Sequence, residues 1–258
     1  MQEQFTIAAS KDIMREIDAA ADKAGVGRGQ AFEDFLTCMR CALSGETMEE
    51  EYLATVHKGY EKGNPGKRGI DRITQAFSMT VKAIEISGDD VLGDLFTGGI
   101  TYGEKGQFFT PDSVCELMAS LSVPTERTEE RKSVCDPASG SGRMLLRVGR
   151  YQPHWDFTGQ DSDHRCAQMT AINLGLNGLH GWAVWMNTLT LETHRVYKVG
   201  MHLRGPRPGV IREVPVEQSP FHHLKIEHPQ PKPVEQAQDR GGPQDERSES
   251  RGQQLDLF

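Results

Sequence analysis

The sequence predicts an α/β protein, with a parallel, doubly wound sheet preceded by a helical domain. Three observations carry this. Apolar residues keep helical spacing through the first hundred positions. From about residue 105, short β-prone runs alternate with helical ones. Between the first such strand and the helix after it lies a glycine-rich turn, Asp136-Pro137-Ala138-Ser139-Gly140-Ser141-Gly142.

The helical region comes first. Ile13, Ile17, Ala20 and Ala24 share one helical face, Phe32, Leu36, Met39 and Leu43 a second, and Tyr52, Val56 and Tyr60 a third. Gly25-Val26-Gly27 and Ser44-Gly45 separate them. A turn-rich stretch from Gly63 to Gly69 leads to a helix bearing Ile70, Ile73, Phe77, Val81 and Ile84. These stripes read as core packing. Cys38 and Cys41 form a C-x-x-C pair, the spacing of metal or redox sites. No second pair follows, and i and i+3 share a helix face, so buried thiols are the simpler reading.

In the second region Thr110 and Pro111 read as N-cap and first residue of a helix carrying Val114, Leu117, Met118 and Leu121. Strands are expected over 133–135, 156–160 and 182–186, with helices around Met144–Val148 and Ala167–Leu174 between them. From His228 onward Pro, Gln, Glu, Arg, Ser and Gly dominate without apolar periodicity, the composition of a disordered segment. The expected organisation is a helical bundle over 1–98, an α/β domain over 99–215 and a disordered tail over 216–258.

Composition excludes some functions. No run of about 20 apolar residues offers a membrane span, and the N-terminus has no signal-peptide pattern, so a cytoplasmic protein is expected. The net charge of −8 makes the chain a poor stand-alone DNA binder, because non-specific affinity comes from neutralising phosphates. Any action on DNA would then be indirect or through a partner.

The glycine turn carries the chemistry. Glycine lets a backbone approach a ligand closely, and the following helix presents free N–H groups. Asp161 follows Gly142 by 19 residues, at the end of the second strand, where a carboxylate can accept from ribose hydroxyls. Alone, this pattern fits either a nucleoside-containing ligand or a tight turn with a solvated Asp.

The run Gly106-Gln107-Phe108-Phe109-Thr110-Pro111, followed by Asp136-Pro137-Ala138-Ser139-Gly140-Ser141-Gly142, resembles the N-6 adenine-specific DNA methyltransferase family. It looks most like the modification subunit of type I restriction systems, with Ser139 where a Cys is usual. The resemblance spans roughly 88 to 190, from Val91-Leu92-Gly93-Asp94-Leu95-Phe96 through Gly159-Gln160-Asp161 to Asn187-Thr188-Leu189. It implies a Rossmann-like fold that binds S-adenosyl-L-methionine (SAM). Gly106, Gln107, Phe108, Phe109, Thr110 and Pro111 would close over the methionine end. Asp136, Pro137, Ala138, Ser139, Gly140 and Gly142 would form the loop beneath, Asp161 would hold the ribose, and Asn187 would accept from the adenine amine. Thr110 reads equally well as a helix cap.

The family's base-holding motif, N-P-P-F/Y, is absent: no Asn-Pro-Pro or Asp-Pro-Pro occurs, and Asn64-Pro65 is followed by Gly66. No catalytic residue is therefore assigned, and the sheet is expected to be truncated. The family order puts the first strand centrally, with the fourth beside it; Val210–Val214 is expected to pair there as a surrogate, or a second subunit to cover the edge.

The last five residues, Gln254-Leu255-Asp256-Leu257-Phe258, resemble the peptide that binds the bacterial sliding clamp. A flexible tail would present Leu and Phe anchors to a groove on a DNA-encircling ring. The alternative is a chance apolar end. Two functions follow from the resemblances: a SAM-binding protein of DNA modification, or an inactive SAM-binding adaptor on the clamp that modulates restriction-modification or protects mobile DNA.

Overall fold

A computed structural model describes residues 4–100, 109–200 and 209–221, all within one compact unit spanning 1–226. Four longer helices form the first part: α1 (Ser10–Ala24), α2 (Arg28–Leu43), α3 (Glu49–Val56) and α4 (Gly69–Ser87). Helices α1, α2 and α4 bury the stripes read from the sequence, with Ile13, Ile17, Phe32, Leu36 and Ile73 almost fully enclosed; α3 ends at Val56, so Tyr60, also buried, lies in the turn after it. Gly25 and Gly88 close α1 and α4 in the left-handed conformation, with φ of 71° and 66°. Cys38 and Cys41 are buried free thiols. Burial raises them to about 12 and about 11, so both stay protonated at neutral pH. Among the described residues no helix is long and apolar enough to cross a membrane.

After α5 (Val91–Leu95) and a π-turn over Phe96–Ile100 come α6 (Asp112–Ser122), β1 (Ser133–Asp136), α7 (Arg143–Tyr151), β2 (Asp156–Asp161) and α8 (His164–Leu176). Three further strands follow: β3 (His180–Asn187), β4 (Glu192–Val199) and β5 (Ile211–Val214). The sheet order is β1-β2-β3-β4-β5. The first three strands are parallel, and β4 and β5 are antiparallel additions. Helices α1, α2 and α4 share one continuous hydrophobic core with α7, α8 and the sheet. Buried Arg40 of α2 binds them further, bonding Gln168 of α8 (3.1 Å) and Glu51 of α3 (2.7 Å) and lying over the Tyr197 ring.

The α/β layering is as expected, but three details of the sequence reading are corrected. The sheet is mixed, not parallel and doubly wound: β1→β2→β3 advance in one direction, α7 and α8 pack together over them, and β4 and β5 run antiparallel. Strand β4 arises where none was expected. Strand β5 does not pair with β1; the tight β3–β4 turn sends the chain to the far edge, so β5 pairs with β4. Strand β1 is therefore an edge strand among the described residues. A smaller correction concerns α6, which starts at Asp112 with Pro111 as N-cap, so Thr110 does not cap it.

Candidate functional site

The carboxyl ends of β1, β2 and β3 converge on the glycine bend. Asp136 ends β1, Asp161 ends β2 and Asn187 ends β3. The bend is tied to β2 by its main-chain N–H groups: that of Ser139 donates to the Gln160 carbonyl (2.9 Å), and that of Gly140 to the Asp161 side-chain oxygen Oδ2 (2.9 Å). The second Asp161 oxygen accepts from the Asp163 N–H (2.8 Å). Asp136 accepts from the Ala138 N–H (3.1 Å), a turn that fixes Pro137 between them.

Two glycines are required by geometry. Gly140 and Gly142 have φ of 55° and 85°, where side-chain-bearing residues are strained. A Cβ on Gly140 would come within 3.0 Å of the Phe109 ring, and one on Gly142 within 3.2 Å of Thr170. Ser139 and Thr170 share a hydroxyl–hydroxyl bond (3.1 Å), and Thr170 also donates to the Gly140 carbonyl (3.1 Å), so α8 holds the bend from behind.

Phe109 covers the front of the bend. Its ring stacks on Phe96 (5.4 Å between centroids), which in turn meets Phe32 of α2 (5.9 Å). The Thr110 carbonyl accepts from Arg143 at the start of α7 (3.2 Å). Phe109 and Thr110 are thus brought to the glycine bend, and Pro111 follows them as the N-cap of α6; Gly106, Gln107 and Phe108 lie outside the described residues, as do Gln254, Leu255, Asp256, Leu257 and Phe258.

Asn187 is placed at the sheet's carboxyl end, but its oxygen is engaged. Oδ1 accepts from the Leu189 N–H (3.0 Å) and the Thr190 N–H (3.3 Å), closing the β3–β4 turn. Accepting an adenine amine would require that turn to loosen.

Sequence reasoning missed two features. The first is Asp90, which is 3% exposed and N-caps α5. Its Oδ1 accepts from the Gly93 N–H and Asn173 Nδ2, both at 2.8 Å, and its Oδ2 from Ser141 Oγ and from Arg143 Nε at 3.0 Å. It locks the helical part to the glycine bend; an Asp three residues before Gly93, at the start of an apolar run, was its only signal. The second is an aromatic wall. Trp185 pairs in register with Asp161 and stands between His164 and His194, with centroids 4.5 and 4.6 Å away. Its indole donates to the Ser162 carbonyl (3.1 Å). Burial, then the nearby Arg195 and Arg40 charges, lower His164 to about 4, so it is neutral at neutral pH.

Burial raises both Asp136 and Asp161 above the usual carboxylate range. No ion pair reaches either among the described residues, and their donors are backbone N–H groups alone. The crevice thus offers two half-buried carboxylates with spare acceptor capacity, a glycine bend and an aromatic flank. Such a set suits hydroxyls, an amine and a flat ring. A cavity of about 620 Å³ opens elsewhere, between α2, α3 and α4, lined by Cys38, Tyr52 and Phe77.

Residues 88–203 match the family model described as N-6 DNA Methylase. This segment is N-6 DNA methylase-like. No curated protein matches the chain significantly. Two solved structures are similar to it. One, from Streptococcus thermophilus, is the methyltransferase subunit of a type I restriction-modification system: 16% identity, 68% of this chain, 57% of that one, TM-score 0.37. The other, from Listeria monocytogenes, is assigned to the class I S-adenosylmethionine-dependent methyltransferases: 13% identity, 67% of this chain, 51% of that one, TM-score 0.40. The chain thus matches a little over half the length of these two structures. The methylase-like segment contains the glycine bend, Asp90, Asp136, Asp161 and Asn187.

Proposed function

We infer that the methylase-like segment binds SAM in this crevice and that the protein acts in DNA modification. One observation carries the reading: the Gly140 N–H fixes Asp161 against the glycine bend while leaving its carboxylate able to accept more bonds. Asp161 would hold the ribose hydroxyls. Asp136, Pro137, Ala138, Ser139, Gly140 and Gly142 would line the loop, with Phe109, Thr110 and Pro111 closing over it. When bound, SAM supplies an electrophilic methyl group. The chain's own residues orient the donor, and Trp185 with Phe109 shields it from water.

A second reading draws on the missing N-P-P-F/Y motif and on β4, which lies antiparallel beside β3 and not beside β1. In it the protein is a SAM-binding adaptor that transfers no methyl group. It would reach DNA through the sliding clamp by Gln254, Leu255, Asp256, Leu257 and Phe258, modulating restriction-modification or protecting mobile DNA. The chain's negative charge supports delivery by a partner.

Incubating the pure protein with methyl-labelled SAM and unmethylated DNA separates the two. Label on adenine N6 establishes the enzyme reading and removes the adaptor. Label retained on protein without transfer, by equilibrium dialysis, supports the adaptor. Absence of retention and transfer together refutes both. Deleting residues 254–258 is expected to abolish capture by immobilised clamp while leaving SAM retention unchanged.

A further inference from the structure

The sheet and its helix layer stop at the same side of the molecule. In the sheet, β1 is the last strand among the described residues. In the helix layer, α8 lies over β2 and β3, α7 over β1 and β2, and α6 packs on α7 as the outermost helix. Cys115 and Ala119 of α6 are buried, facing inward. Its opposite face carries Val114, Leu117, Met118 and Leu121 at 41%, 57%, 48% and 78% exposure. Their i, i+3, i+4, i+7 spacing makes one continuous apolar stripe. An unpaired strand edge beside an exposed apolar helix face is a surface proteins normally cover.

We propose that a second copy of this chain covers it, the two β1 strands pairing antiparallel about a twofold axis through Val134. Strand geometry permits this register, and charge favours it. The Lys132 carbonyl accepts from the Asp156 N–H, so its main-chain groups point toward β2. Because these directions alternate along a strand, Val134 and Asp136 also point toward β2, and Ser133 and Cys135 point outward. The outward groups bond when Ser133 faces Cys135 of the second copy, and the reverse. That register sets Lys132 opposite Asp136 of the second copy, twice by symmetry. Opposite charges facing across an antiparallel pair stabilise it. Shifting the axis to Cys135 would oppose Ser133 to Pro137, which has no N–H to donate.

A twofold axis perpendicular to the sheet keeps both helix layers on the same side, so the α6 stripes meet each other in an isologous contact. The pairing also reaches the candidate site. Asp136 is a half-buried carboxylate without an ion pair among the described residues, and Lys132 of the second copy would supply one. The proposal does not depend on SAM binding, and each can fail while the other stands.

Sedimentation of the full chain is expected to give a dimer. Leu117→Asp with Leu121→Asp, both on the exposed face, should return it to a monomer with the wild-type circular-dichroism spectrum and a melting temperature that no longer rises with protein concentration. Lys132→Glu, which sets like charges opposite Asp136, should weaken dimerisation about tenfold. Ser133→Cys tests the register. Facing residues of a hydrogen-bonded pair lie about 5.5 Å apart at Cα, within disulfide reach, so mild copper-phenanthroline oxidation should link the introduced thiol to Cys135 of the second copy. Cys135→Ser in the same background should abolish the link. A wild-type chain that sediments as a monomer at every concentration overturns the proposal, even if it then recruits a different polypeptide to this edge. A dimer that persists in the Leu double variant, with Ser133→Cys unlinked, also overturns it by placing the interface elsewhere.

Discussion

Asp90 and the pair Asp136 and Asp161 lie around the same glycine bend and serve it differently. Asp90 accepts from four donors, Gly93, Asn173, Ser141 and Arg143, which fill the acceptor capacity of a carboxylate. Asp161 accepts from two and Asp136 from one, all backbone N–H groups. The first is a clamp with nothing left to offer a ligand. The other two are partly desolvated, carry no ion pair among the described residues, and retain unused lone pairs. A buried carboxylate whose donors are complete builds structure; one left incomplete beside a glycine bend is where a ligand's hydroxyls belong.

Perturbing the saturated group should cost the most. Asp90→Ala strands Arg143, Ser141 and Asn173, and removing one member of a buried pair costs about 3–5 kcal/mol. Urea unfolding measures it. A loss below about 1 kcal/mol would mean that the network is not a clamp. Asp161→Ala should act more on the ligand than on folding: it frees two backbone donors, fewer than Asp90→Ala, and leaves ribose hydroxyls unpaired at about 1.5–3 kcal/mol, roughly ten- to a hundredfold in SAM affinity. Equal loss of stability and affinity would erase the distinction between the two carboxylates. Gly140→Ala introduces a side chain at φ 55° against Phe109, with an expected stability loss of about 1–2 kcal/mol in thermal or urea unfolding.

The smallest effect is on stability against pH. Burial raises Asp136 and Asp161, so the folded state holds their protons more tightly than the unfolded chain. Their contribution is fully present below the ordinary carboxylate range and is lost as pH rises through the raised folded values. Replacing both by Asn should remove that part of the pH dependence from a series of melting curves, and an unchanged profile would show that the two groups are not desolvated.

How much of this was legible follows from which residues carried a local signal. Ser133-Val134-Cys135 running into Gly140-Ser141-Gly142 announced a strand, a bend and a helix, because each depends on short-range preferences. The stripes of α1, α2 and α4 were equally plain, since burial on one helix face leaves a period. Strand β4 was not. Its Val196 and Tyr197 are consecutive and both buried, and the register shifts opposite Trp185/Met186, so Glu192–Val199 does not alternate along its whole length. The pairing partner of β5 was likewise invisible, because strand order depends on how tightly the β3–β4 turn closes and not on the composition of Ile211–Val214. Asp90 was hidden for a related reason: its partners Ser141, Arg143 and Asn173 lie 51 to 83 residues away.

The most direct test of the incomplete-carboxylate account is SAM affinity measured by calorimetry across the acidic range, for the wild type and for Asp161→Asn. Ribose hydroxyls donating to Asp161 favour its ionised form, so wild-type affinity should rise with pH through its raised value while the Asn variant binds weakly with a flatter profile. Wild-type binding that is absent, or that shows the same pH profile and strength as the Asn variant, would contradict it.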